Sequence, residues 1–568
     1  MLNDLSRLTN KILKKPILQV NGNNSFQQSY GMPAFCNDPV SYSTGNIVAF
    51  CITGFIGLLV LIGTFLDYAQ NWFKPTTVVL SKSSGFMPVM GASDDDILSH
   101  NVVNESQPFL AQNDVKKSQK SLFAEILLCF SFRKNFKQIF NTDVASSAIT
   151  CINGIRTISM TWVILGHTFY FSMYSASDNI MDALKVVHRL SFEAVANAYV
   201  SVDTFFLLSG LLVSYLCLKR FDKYDGSSFL RYFSKKFMPQ YYLHRFLRLT
   251  PSYMYVILFF IFIFPFCGDG PLWFEKSKGM EIQNCKKHWW TNLLYINNFY
   301  PTSMGNECIG WSWYLANDMQ FYLISPAILL VMHKLKLPGT LIISTAICII
   351  SFVVTGTIIG VNNLNSLLTG DFQGAQNAQT KEFADWIYSK PYCRIAPYIV
   401  GLALGGLIYN RKAPGGNAKT LLAFFGWTIA TVVALLVIYG PYTYFRDGGR
   451  PFTSVENVMY GAFSRFAWSL CVAWVIYACY FGMGGLVNTI LSWKAFIPLS
   501  RLTYSAYLVH PIVIYVYYGS LERPFHYSDI SVVYTHASFL MLTYGSAFLL
   551  SIFVEFPASN LEKLSFRF

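Results

Sequence analysis

The sequence predicts an all-α fold, a polytopic transmembrane helix bundle of about 10–11 helices, and three observations carry that expectation. Of 568 residues, 53% are hydrophobic and only 13% are charged, where a soluble domain carries about 25% charged residues. The mean hydropathy is +0.38. The apolar residues also come in long runs: residues 47–65 contain no charge, and about 20 such residues span a bilayer as a helix.

Taken in order, residues 1–45 form a short polar outer segment without a signal-peptide apolar region. No Lys or Arg lies in the twenty residues before the first span, whereas Lys74 and Lys82 follow it. That bias places the N-terminus outside, against Arg7, Lys11, Lys14 and Lys15. Residues 46–68 are the first transmembrane helix, and 69–150 are a cytoplasmic linker, polar as far as 117 and acidic at Asp94, Asp95 and Asp96. Segment 118–141 mixes large apolar residues with Lys and Arg. Such a helix either lies in the membrane interface or packs on the bundle, and the pattern leaves both open.

Residues 151–556 form the main bundle. Its apolar runs lie near 155–175, 197–218, 250–267, 311–333, 338–359, 392–409, 419–440, 458–482, 497–518 and 531–555. A cytoplasmic tail, 557–568, closes the chain. The net charge of +13 is concentrated between spans. Lys219, Arg220, Lys223, Arg231, Lys235, Lys236, Arg245 and Arg248 face only Asp222 and Asp225, while loops 268–310 and 359–391 are close to neutral. Positive-inside bias makes the basic loops cytoplasmic, and the assignment alternates along eleven spans. Membrane orientation therefore explains the charge better than nucleic-acid binding does.

Of twelve cysteines, Cys51, Cys217, Cys348 and Cys471 fall in apolar spans and read as small packing residues. Cys285 and Cys308 bracket an outer aromatic-rich loop and are expected to close it with a disulfide, with Cys267 as competing partner; such a closure contributes about 2–4 kcal/mol. No CxxC pair or ligand spacing points to a metal.

Ionisable groups at membrane depth are costly and face the bundle interior. His167, Asp203, Asp318 and His510 stand on four different spans, each about 10 Å below the outer end of its helix. They are expected in one layer. Arg156 and His167 are eleven residues apart, which returns to nearly the same helix face about 16 Å away. An arginine at the cytoplasmic boundary below a buried histidine suits a long anionic ligand, although snorkelling to lipid phosphate gives the same arginine a plainer role. Arg245 and Arg248, three apart before Pro251, are spaced to clamp a phosphate or to anchor the inner membrane face.

The residues at this point resemble a family. The Arg156-x10-His167 arrangement is similar to the signature of the acyltransferase-3 superfamily of membrane acyltransferases. Agreeing segments are VDTFFLLSGLLVSYL around Asp203, RFLRLTPSY from Arg245, WSWYLANDMQFYLISP from Trp311, LTYSAYLVHP before Pro511 and VEFPASNLEK from Val554. GIRTISMTWVILGHT most resembles the animal branch named after nose resistance to fluoxetine. The resemblance covers about residues 120–568. That branch carries a cysteine-rich outer domain before its first span, whereas here 45 residues precede it with Cys36 alone.

The resemblance implies an O-acyltransferase moving an acyl group from acyl-CoA to an acceptor hydroxyl, with membrane lipids around it in the endoplasmic reticulum or plasma membrane. Arg156, Arg245 and Arg248 would hold the donor's phosphates. His167 would be the general base, with Asp203 fixing its tautomer. Asp318, Gln320 and His510 would orient the acceptor. No tightly bound cofactor is implied. Buried His and Asp residues also serve as proton relays, so a transporter or permease of lipids or small hydrophobic molecules is the alternative; paired discontinuous helices or an inverted repeat would mark it. A catalytically silent scaffold is the third reading.

The topology makes a first prediction. Asn23 begins an Asn-Asn-Ser sequon on the expected outer side and Asn104 an Asn-Glu-Ser sequon in the cytoplasmic linker. Glycopeptide mapping should find sugar on Asn23 alone; sugar on Asn104 would invert the linker.

Overall fold

The computed structural model describes residues 42–72, 121–145, 148–174, 177–223, 229, 232–367, 382–410 and 415–565. Asn23, Asn104 and most of the linker lie outside them. Among the described residues the elements are helices, with one isolated bridge between Ser177 and Phe525.

The long helices are α1 (Thr44–Trp72), α4 (Cys151–Tyr174), α5 (Val200–Phe221), α6 (Met238–Phe262), α8 (Trp313–Asn362), α9 (Pro391–Asn410), α10 (Gly416–Tyr439), α11 (Ser454–Tyr480), α12 (Phe496–Gly519) and α13 (Asp529–Leu550). Shorter ones are α2 (Leu122–Cys129), α3 (Phe132–Phe140) and α7 (Met280–Leu293). Eight stretches of the described residues are long and apolar enough to cross a membrane, so the chain is an integral multi-pass membrane protein. One of them, Gly310–Asn362, contains two of the expected spans, because the helix breaks at Lys336 (φ 51°), two residues before Pro338. α4 and α12 are less apolar, yet each has 24 residues, enough to span. These two carry the histidines.

One boundary differs from expectation. The run at 250–267 begins after the basic HRFLRLT segment, but α6 passes through that segment and keeps Pro251 inside the helix. A proline is tolerated within a bundle helix where neighbours satisfy the freed backbone groups.

The tightest packing joins α5 to α9, and small residues make it possible. A Cβ on Gly210 would lie 2.2 Å from the Tyr398 carbonyl oxygen, and one on Gly401 would lie 2.1 Å from that of Leu207. α1 is peripheral by contrast, tied at one end by the Asn46 amide donating to the Phe262 carbonyl (2.6 Å) and at the other by Asp67, which accepts from Ser131 (3.2 Å).

The amphipathic segment resolves into α2 and α3. Its inner face packs on the bundle: Ile139 is buried, Asn135 accepts from the Asn560 amide (2.9 Å), and Arg501 caps the end of α3 by donating to the carbonyls of Gln138, Ile139 and Asn141. Phe123, Phe132, Phe136 and Phe140 remain exposed on the other side.

Replacing Gly401 by Val should lower stability by about 1–3 kcal/mol through overpacking, read as an earlier thermal transition in detergent. Gly57→Val, with nothing within 4 Å of its Cβ position, should leave that transition in place.

Candidate active site

Two of the four expected groups meet. His510 on α12 is fully buried, and His167 on α4 keeps part of its surface accessible. His510 Nε2 and His167 Nδ1 are 3.0 Å apart. The other nitrogen of His510, Nδ1, faces the Tyr507 carbonyl at 2.8 Å. A carbonyl only accepts, so Nδ1 of His510 carries a proton. In the neutral ring Nε2 then holds a lone pair and accepts from His167 Nδ1–H. The proton of His167 is thereby fixed on Nδ1, and its Nε2 is left with a free lone pair. That is the state a general base needs. Phe171 stacks on the His167 ring (centroids 5.7 Å, 23°) and Tyr507 lies beside His510 (6.0 Å), which holds both rings in place.

The carboxylates go elsewhere. Asp203 does not orient His167: both its oxygens accept from Arg394 Nη1 at 3.0 Å, and Asp203 and Arg394 are each fully buried. Asp318 is ion-paired with Arg245, whose guanidinium also lies 4.2 Å over the Tyr322 ring. A cation beside a buried carboxylate offsets its lost hydration, and these two ion pairs draw Asp203 and Asp318 away from the histidines.

Pairing also changes the basic cluster. Arg245 is engaged by Asp318, so the Arg245–Arg248 clamp does not form as a free pair. Arg156 and Arg248 instead lie within electrostatic reach of each other and of other groups: Arg156 senses Arg248, Tyr314 and Asp318, and Glu555 senses Arg248. Neither Arg156 nor Arg248 makes a hydrogen bond or ion pair among the described residues. Glu555 accepts from Ser505 (2.6 Å) and Ser551 (2.8 Å).

Gln320 ties two elements together. Its amide donates to the Tyr295 carbonyl and to Asn298 Oδ1, both at 2.9 Å. It thereby fixes the loop after α7 to α8. Asn292 continues this amide network to the Tyr253 hydroxyl (2.6 Å) and the Cys308 carbonyl (2.9 Å), beside the disulfide that joins Cys285 to Cys308. Next to it, Glu307 is buried. Burial pushes its carboxyl well above the usual carboxylate range, with Lys390 offsetting, and burial likewise pushes the Lys390 amine down.

Sequence reasoning missed Arg394 and Arg465, although each is a single cation within an otherwise apolar run, the same signal that flagged Asp203. Among the described residues no group of three His, Cys, Asp or Glu is placed to hold a metal.

With this geometry in place, comparison with known proteins gives a consistent result. The acyltransferase domain family profile matches residues 149–557. The chain is 32% identical over 458 residues to the nose resistant to fluoxetine protein 6 of Caenorhabditis elegans, covering 78% of this chain and 55% of that one. The chain thus spans about half the length of that relative. It is 25% identical over 458 residues to the regulator of hypoxia-inducible factor 1 of the same organism, covering 77% and 84%. A shorter stretch of 177 residues is 30% identical to the peptidoglycan O-acetyltransferase of Listeria monocytogenes, covering 29% and 26%. No solved structure matches.

The pairing of Asp203 makes a prediction that separates a structural from a chemical role. Asp203→Ala strands the buried Arg394 guanidinium, and folded protein should be lost at a cost of about 3–5 kcal/mol. The double change Asp203→Leu with Arg394→Met should recover the folded yield in size-exclusion chromatography.

Proposed function

The chain belongs to the acyltransferase domain family, and from that premise we propose that it is a membrane-embedded O-acyltransferase with acyl-CoA as donor and a hydroxyl as acceptor. One observation carries the reading: the hydrogen-bonded order from the Tyr507 carbonyl through His510 to His167, which leaves His167 Nε2 unprotonated. In the proposed step that nitrogen removes the acceptor's hydroxyl proton as the oxygen attacks the thioester carbonyl carbon. The tetrahedral intermediate then collapses, the C–S bond breaks, and the imidazolium returns its proton to the leaving thiolate. His510 is the positioning residue, because it holds the tautomer without touching the reacting atoms.

Charge developing on the carbonyl oxygen calls for a fixed donor. Trp311 supports that role with a buried indole N–H that has no partner among the described residues. Its ring stands 6.0 Å from that of Tyr515, which is 4.9 Å from Phe171, the ring stacked on His167. At the other end, Arg156 lies on the His167 face of α4 about 16 Å away, beside Arg248. Both guanidiniums have unused donors suited to the donor's phosphates, and the distance suits its thin pantetheine arm. The acceptor enters from the outer side in this reading, and the resident membrane is the endoplasmic reticulum or plasma membrane.

The proposal predicts two distinct kinetic defects. His167→Ala should remain folded, because removing an uncharged imidazole strands no charge, and should slow acyl transfer in proteoliposomes by about 10²–10⁴-fold. Arg156→Ala should mainly raise KM for acyl-CoA, since the phosphate contact is made in the ground state as well as the transition state. Wild-type turnover in folded His167→Ala would refute the assignment, and substrate flux without acylated product would favour a transporter.

A further inference from the structure

Away from the histidine pair, two buried arginines hold donors that no described residue uses. Arg394 on α9 is fully buried. Its Nε donates to the Tyr388 carbonyl (2.8 Å) and its Nη1 to Asp203, but its Nη2 is buried without a partner. Arg465 on α11 is 4% exposed. Its one hydrogen bond runs from Nη1 to the carbonyl of Gly461, one turn back in its own helix, at a long 3.4 Å, and its Nε is buried without a partner. Arg465 lies within electrostatic reach of Arg394 and Asp203.

Among the described residues the charges do not balance: two guanidiniums share one carboxylate, leaving one net positive charge at this place in the bundle. Glu193 does not supply the missing anion to this pair: it holds the Asn197 amide (3.1 Å), and Tyr460, which donates to Asn197 (3.3 Å), stands on that side. Aromatic rings lie against the cations, Trp313 at 5.0 Å and Tyr388 at 4.6 Å from Arg394, and Phe383 at 5.9 Å from Arg465. A ring quadrupole recovers only part of what a guanidinium loses on leaving water. A water molecule would satisfy the N–H groups and leave the charge uncancelled.

We propose that Arg394 and Arg465, with Asp203 as fixed counter-charge, form a binding site for one monovalent anion, either a halide or a carboxylate. A dianionic phosphate fits less well, since it would overcompensate a single excess charge and repel Asp203. The site is distinct from the proposed acyl-transfer centre. Trp313 connects to Phe206 (6.3 Å), Phe206 to Tyr314 (4.7 Å), Tyr314 to Tyr507 (5.4 Å) and Tyr507 to His510 (6.0 Å), so a run of rings separates the two. The proposal stands whether or not the chain transfers acyl groups.

The test is thermal unfolding of the full chain in nanodiscs at constant ionic strength, with the dianion sulfate exchanged for chloride, bromide or acetate. Binding predicts a saturable rise in melting temperature of about 2–4 °C. A response to chloride and bromide alone assigns a halide, and a response to acetate alone assigns a carboxylate. Arg465→Met removes the excess charge and should abolish the response. Should that variant fail to fold, bromide-soaked crystals of the wild type give a second readout, an anomalous peak within hydrogen-bond distance of Arg394 Nη2. A flat melting temperature with all three anions or a response retained in Arg465→Met overturns the site, and after a halide response so does an absent bromide peak.

Discussion

Hydrocarbon offers a charge no water, so an ionisable side chain drawn into this bundle is kept only beside a partner. That requirement sorts the polar interior. Asp203 takes Arg394 and Asp318 takes Arg245. The two histidines can remain neutral, so they need no counter-ion and pair with each other. The candidate base sits on the pair that needs no counter-ion.

The helices divide along the same line. α5 and α9 approach so closely at Gly210 and Gly401 that no side chain fits between them, and they hold the Asp203–Arg394 pair at their first turns. That contact is a rigid wall. α4 and α12 are too polar to count among the most apolar spans, and they carry the histidine pair. On α4 the spare groups are His167 Nε2 and the guanidinium of Arg156, at the two ends of one face. Rigidity on one side and unspent polarity on the other place the candidate centre without any loop contributing a reacting group.

Much of this was legible in the sequence. Every apolar run corresponds to a helix, because about 20 residues without charge can do little else in a membrane. His167 and Arg156 stood out because a spacing of eleven fixes both face and depth. The partners were not legible. Asp203 and Arg394 are 191 residues apart, and nothing along the chain says that one will meet the other. Depth alone placed Asp318 and His510 in one layer, while the lateral arrangement of the helices decides which groups touch. Arg394 and Arg465 escaped notice because a single cation barely lowers the hydropathy of a run. Gln320 lay in a motif with the look of a site, and its bonds to the Tyr295 carbonyl and the Asn298 side chain come from a loop whose approach the sequence does not announce.

The account rests on the proton order across the two imidazoles, and nitrogen NMR of histidine-labelled protein in nanodiscs reads it directly. At neutral pH the His167 ring should show a protonated Nδ1 and an unprotonated Nε2, with His510 protonated on Nδ1 as well. A His167 ring carrying its proton on Nε2, or on both nitrogens, would contradict the account.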